Sequence, residues 1–442
     1  MRMNVMKTGF LTLIALIGIS LSAAAAPQVK LDVAFGKPLF YAPSPERLNY
    51  LKVGLTGFPM ENLKERTPVN LAIVLDRSGS MQGEKLKHAK QAAIMAIERL
   101  NSEDIVSVVA YDSDVNVLVP ATKVSDKTTI FAAINDLEAG SNTALFAGVS
   151  RGAREVRKFF DHKRVNRIIL LSDGLANVGP SSPEELGELG ASLGREGIPI
   201  TTFGLGLGYN EDLMSQLAQR SDGNHAFIET PKELAKVFDL EFGDVLSVVA
   251  QEVSITLNCR NLRPVRALGR AVSIRGNQVE ADLNQLYANQ EKFILVEVEA
   301  PTEGLAELRP SVEVRISYRN MVSRTVETLQ AQLEIGFSSD QKEVTSRESR
   351  EVMVSVVNLL ANERYKLATR LRDEGKVEDA RRALEENKSY LNEKATQYKS
   401  DLLDKAAIQN EVDSKNLDDR NWNKTRKGMR QQQHTNDMQQ AW

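Results

Sequence analysis

The sequence predicts an α/β protein: a doubly wound, mostly parallel sheet inserted into an antiparallel β-sandwich and followed by an α-helical hairpin. Three observations carry this. Between residues 69 and 242, short apolar runs alternate with helical patterns, as strands buried on both faces alternate with crossover helices. On either side of that stretch apolar and polar residues alternate with period two, the mark of half-buried strands. From residue 343 to about 403 the pattern turns helical, broken at Asp373-Glu374-Gly375-Lys376.

Taken in order, Arg2 and Lys7 precede an apolar run over 10–21, and Ser22-Ala23-Ala24-Ala25-Ala26 follows. This is the charge, core and small-residue pattern of a secretory signal peptide, 1–26. The run is about 12 residues, against roughly 20 needed to cross a bilayer, so a retained anchor is the lesser alternative. No later segment is long and apolar enough to span, which leaves no transmembrane segment after cleavage. The expected mature protein is exported, to a bacterial periplasm or to the cell exterior. Cys259 is the one cysteine among 442 residues, too few for the disulfides usual in eukaryotic secreted chains.

The period-two strands before residue 66 cannot be stable alone, since an isolated two-stranded piece is marginal. They are therefore expected to pair with strands at 254–257, 293–299, 311–318 and 325–335, making a sandwich of 27–66 plus 244–337. The α/β domain occupies 67–243. Its strands are assigned to 69–75, 105–111, 115–119, 167–171, 199–204 and 225–228. Its helices are assigned to 83–100, 128–137, 144–160, 183–195, 210–220 and 232–242. In the first helix Leu86, Ala89, Ala93, Ile97 and Leu100 fall on one face. The helical hairpin covers 338–404, and 405–442 is expected to be a disordered polar tail carrying a solvated basic run beside Trp422.

Lysine plus arginine number 56 and aspartate plus glutamate 59, a balance of −3. Nothing in it draws the chain to nucleic acid or to anionic membranes. One cysteine and four scattered histidines exclude thiolate zinc and iron–sulfur sites, leaving hard, oxygen-ligated metals. The apolar run Leu71-Ala72-Ile73-Val74-Leu75 leads into Asp76-Arg77-Ser78-Gly79-Ser80-Met81. Alternate spacing turns Asp76, Ser78 and Ser80 toward one point, a donor set for a divalent cation such as Mg²⁺. The competing reading is a helix cap, with Ser and Asp satisfying backbone N–H groups. A second buried strand ends in Ser172-Asp173-Gly174, so Asp76 and Asp173 share one rim of the sheet. Between them, Gly140-Ser141-Asn142-Thr143 opens a helix. Asp112 and Asp114 are read as turn residues, Cys259 as a small buried side chain and His225 as structural.

These residues, in this strand–helix order, resemble a von Willebrand factor type A domain with an intact metal-ion-dependent adhesion site, of an exported bacterial kind. The resemblance covers about 69–242. It implies that Asp76, Ser78, Ser80, Thr143 and Asp173 hold the metal directly or through water. Ser141 is an alternative to Thr143, because Asn142 separates the Gly-Ser pair from it. The order of parts is also loosely similar to inter-alpha-trypsin inhibitor heavy chains, and Glu374–Leu384 resembles one tetratricopeptide-type turn.

The implied function is a non-enzymatic binding or adhesion module. A divalent cation, Mg²⁺ first with Mn²⁺ or Ca²⁺ as alternatives, is completed by an Asp or Glu of a partner protein. Two other readings stand beside it, a Mg²⁺-dependent hydrolase and a scaffold with a structural metal. Against the hydrolase, no H-E-x-x-H, G-x-S-x-G or P-loop occurs, and no histidine is close in sequence to either aspartate.

Overall fold

Strands β1 (Val29–Phe35), β2 (Leu39–Tyr41) and β3 (Leu48–Gly57) come first in the computed structural model, which describes residues 28–60, 66–300 and 309–442. The expected signal peptide lies outside the described residues. The α/β domain then contributes β4 (Val69–Asp76), α1 (Glu84–Arg99), β5 (Ile105–Tyr111), β6 (Val115–Lys123), α2 (Lys127–Asn135) and α3 (Leu145–Arg157). It continues with β7 (Val165–Ser172), α4 (Pro183–Arg195), β8 (Ile200–Leu205), α5 (Glu211–Arg220), β9 (His225–Ile228) and α6 (Leu234–Leu246). The sheet order is β6-β5-β4-β7-β8-β9. All neighbours are parallel except the edge pair β5–β6.

β4 shows why such strands are apolar throughout. Leu71, Ile73 and Leu75 pack in the layer of α1 and α6, while Ala72 and Val74 pack in the layer of α3, α4 and α5. Each fully buried Leu or Ile contributes roughly 2 kcal/mol. Register carries the strand ends to one rim: Asp76 pairs with Tyr111, Leu75 with Leu171, and Ser172 with Gly204. The chain reverses its direction of winding about β4, and crevices for ligands form at such switch points.

The sandwich is built from β10 (Val248–Cys259), β11 (Arg263–Leu268), β12 (Ser273–Arg275), β13 (Gln278–Tyr287), β14 (Glu291–Glu299), β15 (Arg309–Asn320) and β16 (Val326–Ser338) together with the first three strands. One sheet runs β1-β3-β14-β11 and the other β12-β13-β10-β15-β16-β2. β3 lies between β1 and β14, and β2 closes against β16, so the early strands are completed by late ones. Leu51, Val53, Leu55, Ile255, Leu257, Leu283, Val296 and Ile316 fill the space between the sheets. β13 was not among the assigned strands, although Val279, Ala281 and Leu283 alternate with Glu280 and Asp282 within it.

At the junction, Arg167 of β7 is fully buried and donates to Glu241 of α6 (2.7 Å) and to Gln285 of β13 (3.0 Å). Nearby, Asp222 meets Arg270 and accepts the Asn284 N–H at 2.6 Å. The α/β domain is thus fastened to the sandwich by the Arg167–Gln285 hydrogen bond and the Asp222–Arg270 ion pair.

The helical part corrects the expectation for the last residues. After α7 (Gln341–Ser346), α8 (Arg350–Asp373) and α9 (Val377–Tyr398), the chain forms α10 (Asp401–Lys415) and α11 (Asp419–Met438), where a disordered polar tail 405–442 was expected. The hairpin is therefore half of a four-helix unit. Its α8 packs on the sandwich through Val352, Val356 and Leu359 against Leu268 and Leu295. The polarity of α11 belongs to docking: Lys427 is buried and pairs with Glu211 (2.6 Å), Arg426 with Asp212 (2.6 Å) and Asp373 (2.8 Å), and Arg430 with Asp212 (2.8 Å). Gln431 and Gln440 accept the backbone N–H groups of Phe227 and His225 on the edge strand β9, at 3.1 and 3.2 Å. Charge in this segment meets charge on another domain, which composition cannot reveal. The helix starts were legible, since Ser400 and Asp418 cap α10 and α11 with their side chains.

Candidate functional site

Asp76 ends β4 with its carboxylate buried, Oδ1 accepting the Ser78 N–H at 2.8 Å and Oδ2 accepting the Ser172 hydroxyl at 2.6 Å. Parallel pairing puts the carboxyl end of β7 beside that of β4, and Asp173 follows directly. Ser80 spans the two strand ends: its hydroxyl donates to Asp173 Oδ1 at 2.8 Å and lies 3.1 Å from Ser78 Oγ. Thr143 reaches the same place. A side chain on Gly174 would begin 3.0 Å from Thr143 Oγ1 and 3.4 Å from Asp76 Oδ2, so glycine there keeps the gap between these oxygens open.

The capping alternative does not describe this loop. Ser78 precedes a short 3-10 turn without a side-chain cap bond, and the residue at the start of α1 is Gly83. Nor does the Ser141 hydroxyl face the cluster as Thr143 does; it lies 3.2 Å from Ser113 Oγ.

Three loops are laced into one surface. Gly79 N–H donates to Ser141 O (2.8 Å), Gly140 N–H to Arg77 O (2.6 Å) and Ala144 N–H to Asp112 O (2.7 Å). Asn177 accepts the Thr143 N–H at 2.8 Å and returns its own N–H to Thr143 O at 3.1 Å. Asp112, read from sequence as a turn residue, also pairs with Arg77 at 3.0 Å. Its carboxylate occupies the space a side chain on Gly140 would need. Asp112 thereby braces the loop that carries Thr143.

Electrostatically the pocket is strained toward neutrality. Burial pushes the Asp76 carboxyl above its ordinary range, and the nearby Asp173 charge adds to that, while hydrogen bonds from Ser172 and Ser78 oppose it. Burial and the Asp76 charge also raise the Tyr111 hydroxyl well above its usual value. Among the described residues the cation in contact is Lys85, whose ammonium meets Asp173 Oδ2. Among the described residues, no group of three or more His, Cys, Asp or Glu is placed to hold a metal. The donors here are two carboxylates and three hydroxyls, and that all-oxygen set fits Mg²⁺ or a similar hard cation rather than a softer one.

Residues 70–239 match the von Willebrand factor type A domain family. This stretch is a von Willebrand factor type A domain. Over 217 residues the chain is 32% identical to the uncharacterized protein YfbK of Escherichia coli (strain K12), a match covering 48% of this chain and 37% of YfbK. It is 28% identical over 339 residues to the uncharacterized protein sll0103 of Synechocystis sp., covering 71% of this chain and 79% of that protein. The fold aligns with a von Willebrand factor type A protein from Catenulispora acidiphila with a TM-score of 0.69 at 15% identity, covering 87% of this chain and 91% of that one. The last match therefore extends the shared fold beyond the type A domain itself.

Sequence reasoning passed over Lys85, Asn177 and the bracing role of Asp112. Lys85 is off the apolar stripe of α1, and nothing local marks it. Asn177 and Asp112 act through backbone contacts between loops distant in sequence. Ser172 was legible as part of Ser172-Asp173-Gly174, but its bond to Asp76 follows from strand pairing.

Proposed function

We propose that the chain is an exported, metal-dependent protein-binding module. In this reading Asp76, Ser78, Ser80, Thr143 and Asp173 hold a divalent cation, Mg²⁺ first, at the carboxyl rim of the type A domain, and an Asp or Glu of a partner protein completes it. The observation that supports it most is the meeting of these five side chains, drawn from three separate loops, around the gap kept by Gly174. When bound, the metal supplies an open coordination position for an anionic ligand. The protein's part is to hold the oxygens in place: Ser172 orients Asp76, Ser80 orients Asp173, and Asn177 with Asp112 fixes the Thr143 loop.

A binding role is favoured over hydrolysis because no histidine or cysteine hydrogen-bonds any of these five residues among the described residues. The Ser–His and Cys–His pairings of nucleophilic hydrolases are therefore not formed at this rim among the described residues. Export rests on the segment 1–26. Among the described residues no helix is long and apolar enough to cross a membrane.

The test is calorimetric titration of Mg²⁺ into wild type and Asp76→Ala, with circular dichroism as folding control. Wild type is expected to bind, and the variant to lose binding while staying folded. Equal affinity in a folded variant would refute the assignment.

A further inference from the structure

We propose that Lys85 is an internal cation that holds the Asp173 corner of the site until a divalent ion displaces it, so that metal binding exchanges an ammonium for a metal. The inference rests on the metal reading above and adds a competitor to it. Both oxygens of Asp173 are engaged in the structure. Oδ1 accepts the Ser80 hydroxyl at 2.8 Å, and Oδ2 meets the Lys85 ammonium. The same ammonium lies 3.5 Å from the Ser80 carbonyl oxygen, so it sits over the serine that links the two strand ends. A metal entering between Ser80 and Asp173 and the Lys85 ammonium therefore draw on one carboxylate, and two cations at that separation repel.

Lys85 is also built to leave. The Asp173 side chain is 0% exposed, whereas that of Lys85 is 32% exposed, so water already reaches the lysine and not the aspartate. Its flexible four-carbon stem and compact, strongly hydrated head suit a counter-ion that swings into solvent. Gly206, with φ of +73°, runs beside it; a side chain there would begin 3.5 Å from Lys85 Cε, and glycine keeps that flank clear. Arginine in the place of Lys85 would keep the charge, and glutamine would remove it on a stem one bond shorter.

The consequence is a site whose metal affinity is set below what its oxygens alone would give. The experiment is titration of Mg²⁺ into the full chain as wild type, Lys85→Gln and Lys85→Arg, with circular dichroism for folding. Lys85→Gln is expected to bind about twofold to fivefold more tightly, the scale of one partly exposed ion pair, while Lys85→Arg, which keeps the charge and grips a carboxylate more firmly, binds no more tightly than wild type. In parallel, amine-reactive labelling of wild type read by mass spectrometry is expected to rise at Lys85 when Mg²⁺ is added, because the freed ammonium enters water. Unchanged or weaker affinity in folded Lys85→Gln, or labelling at Lys85 that does not rise at saturating Mg²⁺, would overturn the role of Lys85 and leave the metal reading standing. Absence of Mg²⁺ uptake in wild type and in Lys85→Gln alike would overturn the metal reading, and this inference with it.

Discussion

Strand β7 carries a charged residue at each end, and the two ends have opposite characters. Near its start, Arg167 is buried and finds Glu241, Gln285 and Thr201 as partners, with Asn224 holding the second Glu241 oxygen at 2.7 Å. Just past its other end, roughly 20 Å away at strand rise, Asp173 shares a buried corner with a second carboxylate, hydroxyls and one half-exposed lysine. The first arrangement is saturated: the charge has its counter-charge and each guanidinium nitrogen an acceptor. The second has more negative charge than its protein partners neutralise. A saturated buried pair fixes structure and binds nothing else, whereas an under-neutralised one is poised to take a cation.

The contrast is sharpest in stability. Glu241→Ala leaves Arg167 buried without its carboxylate, and removing one partner of a buried pair costs about 3–5 kcal/mol. Denaturant unfolding is expected to show that loss. A change below about 1 kcal/mol would mean that the α/β domain does not depend on this pair.

Next in size is Asp222, whose backbone lies in the left-handed region with φ of 60°, a conformation that asparagine also tolerates. Burial acts to raise its pKa, but Arg270 and Lys292 beside it outweigh that and hold it at about 2. The folded value lies below the unfolded one, so its contribution is present above pH 3.8 and fades as pH falls through about 2. By linkage it amounts to about 2 kcal/mol at neutral pH. Asp222→Asn is expected to lose that stability at pH 7 and to differ little from wild type near pH 2, as thermal melts at the two pH values would show. An equal loss at both would assign the effect to shape rather than charge.

The smallest effect on stability falls at the site itself. Without metal, Asp76 has a raised folded pKa. Its charge therefore opposes folding as pH rises, and Asp76→Asn is expected to cost no stability in the presence of a chelator at neutral pH. Asp173→Ala is expected to weaken Mg²⁺ binding less completely than Asp76→Ala, since it removes one ligand from a separate loop. Titration of both variants ranks them. A larger loss at Asp173 would shift the centre of the site toward β7.

Much of this was open to a reader of the residues. The strand β4 and the loop after it announce themselves by an apolar run meeting Asp76, Ser78 and Ser80 at alternate positions, and Ser172-Asp173-Gly174 repeats the signal. The sandwich strands show their period, β13 included. Less open was the end of the chain, where Lys427, Arg426 and Arg430 look like a solvated basic run until Glu211, Asp212 and Asp373 are brought against them. Gln431 and Gln440 carry no local mark of their bonds to the edge of β9.

The division has a physical cause. Apolar period, turn residues and helix caps act over a few residues, so the sequence by itself determined the strands and helices of the type A domain, the rim on which both aspartates stand and the oxygen character of the site. A charged side chain acquires its meaning from whatever stands within about 4 Å, and here that partner is often a hundred or more residues away. Only the tertiary structure decided that Arg167 is a buried fastener, that Asp112 braces the Thr143 loop, that Lys85 lies on Asp173, and that α11 covers the edge of the sheet.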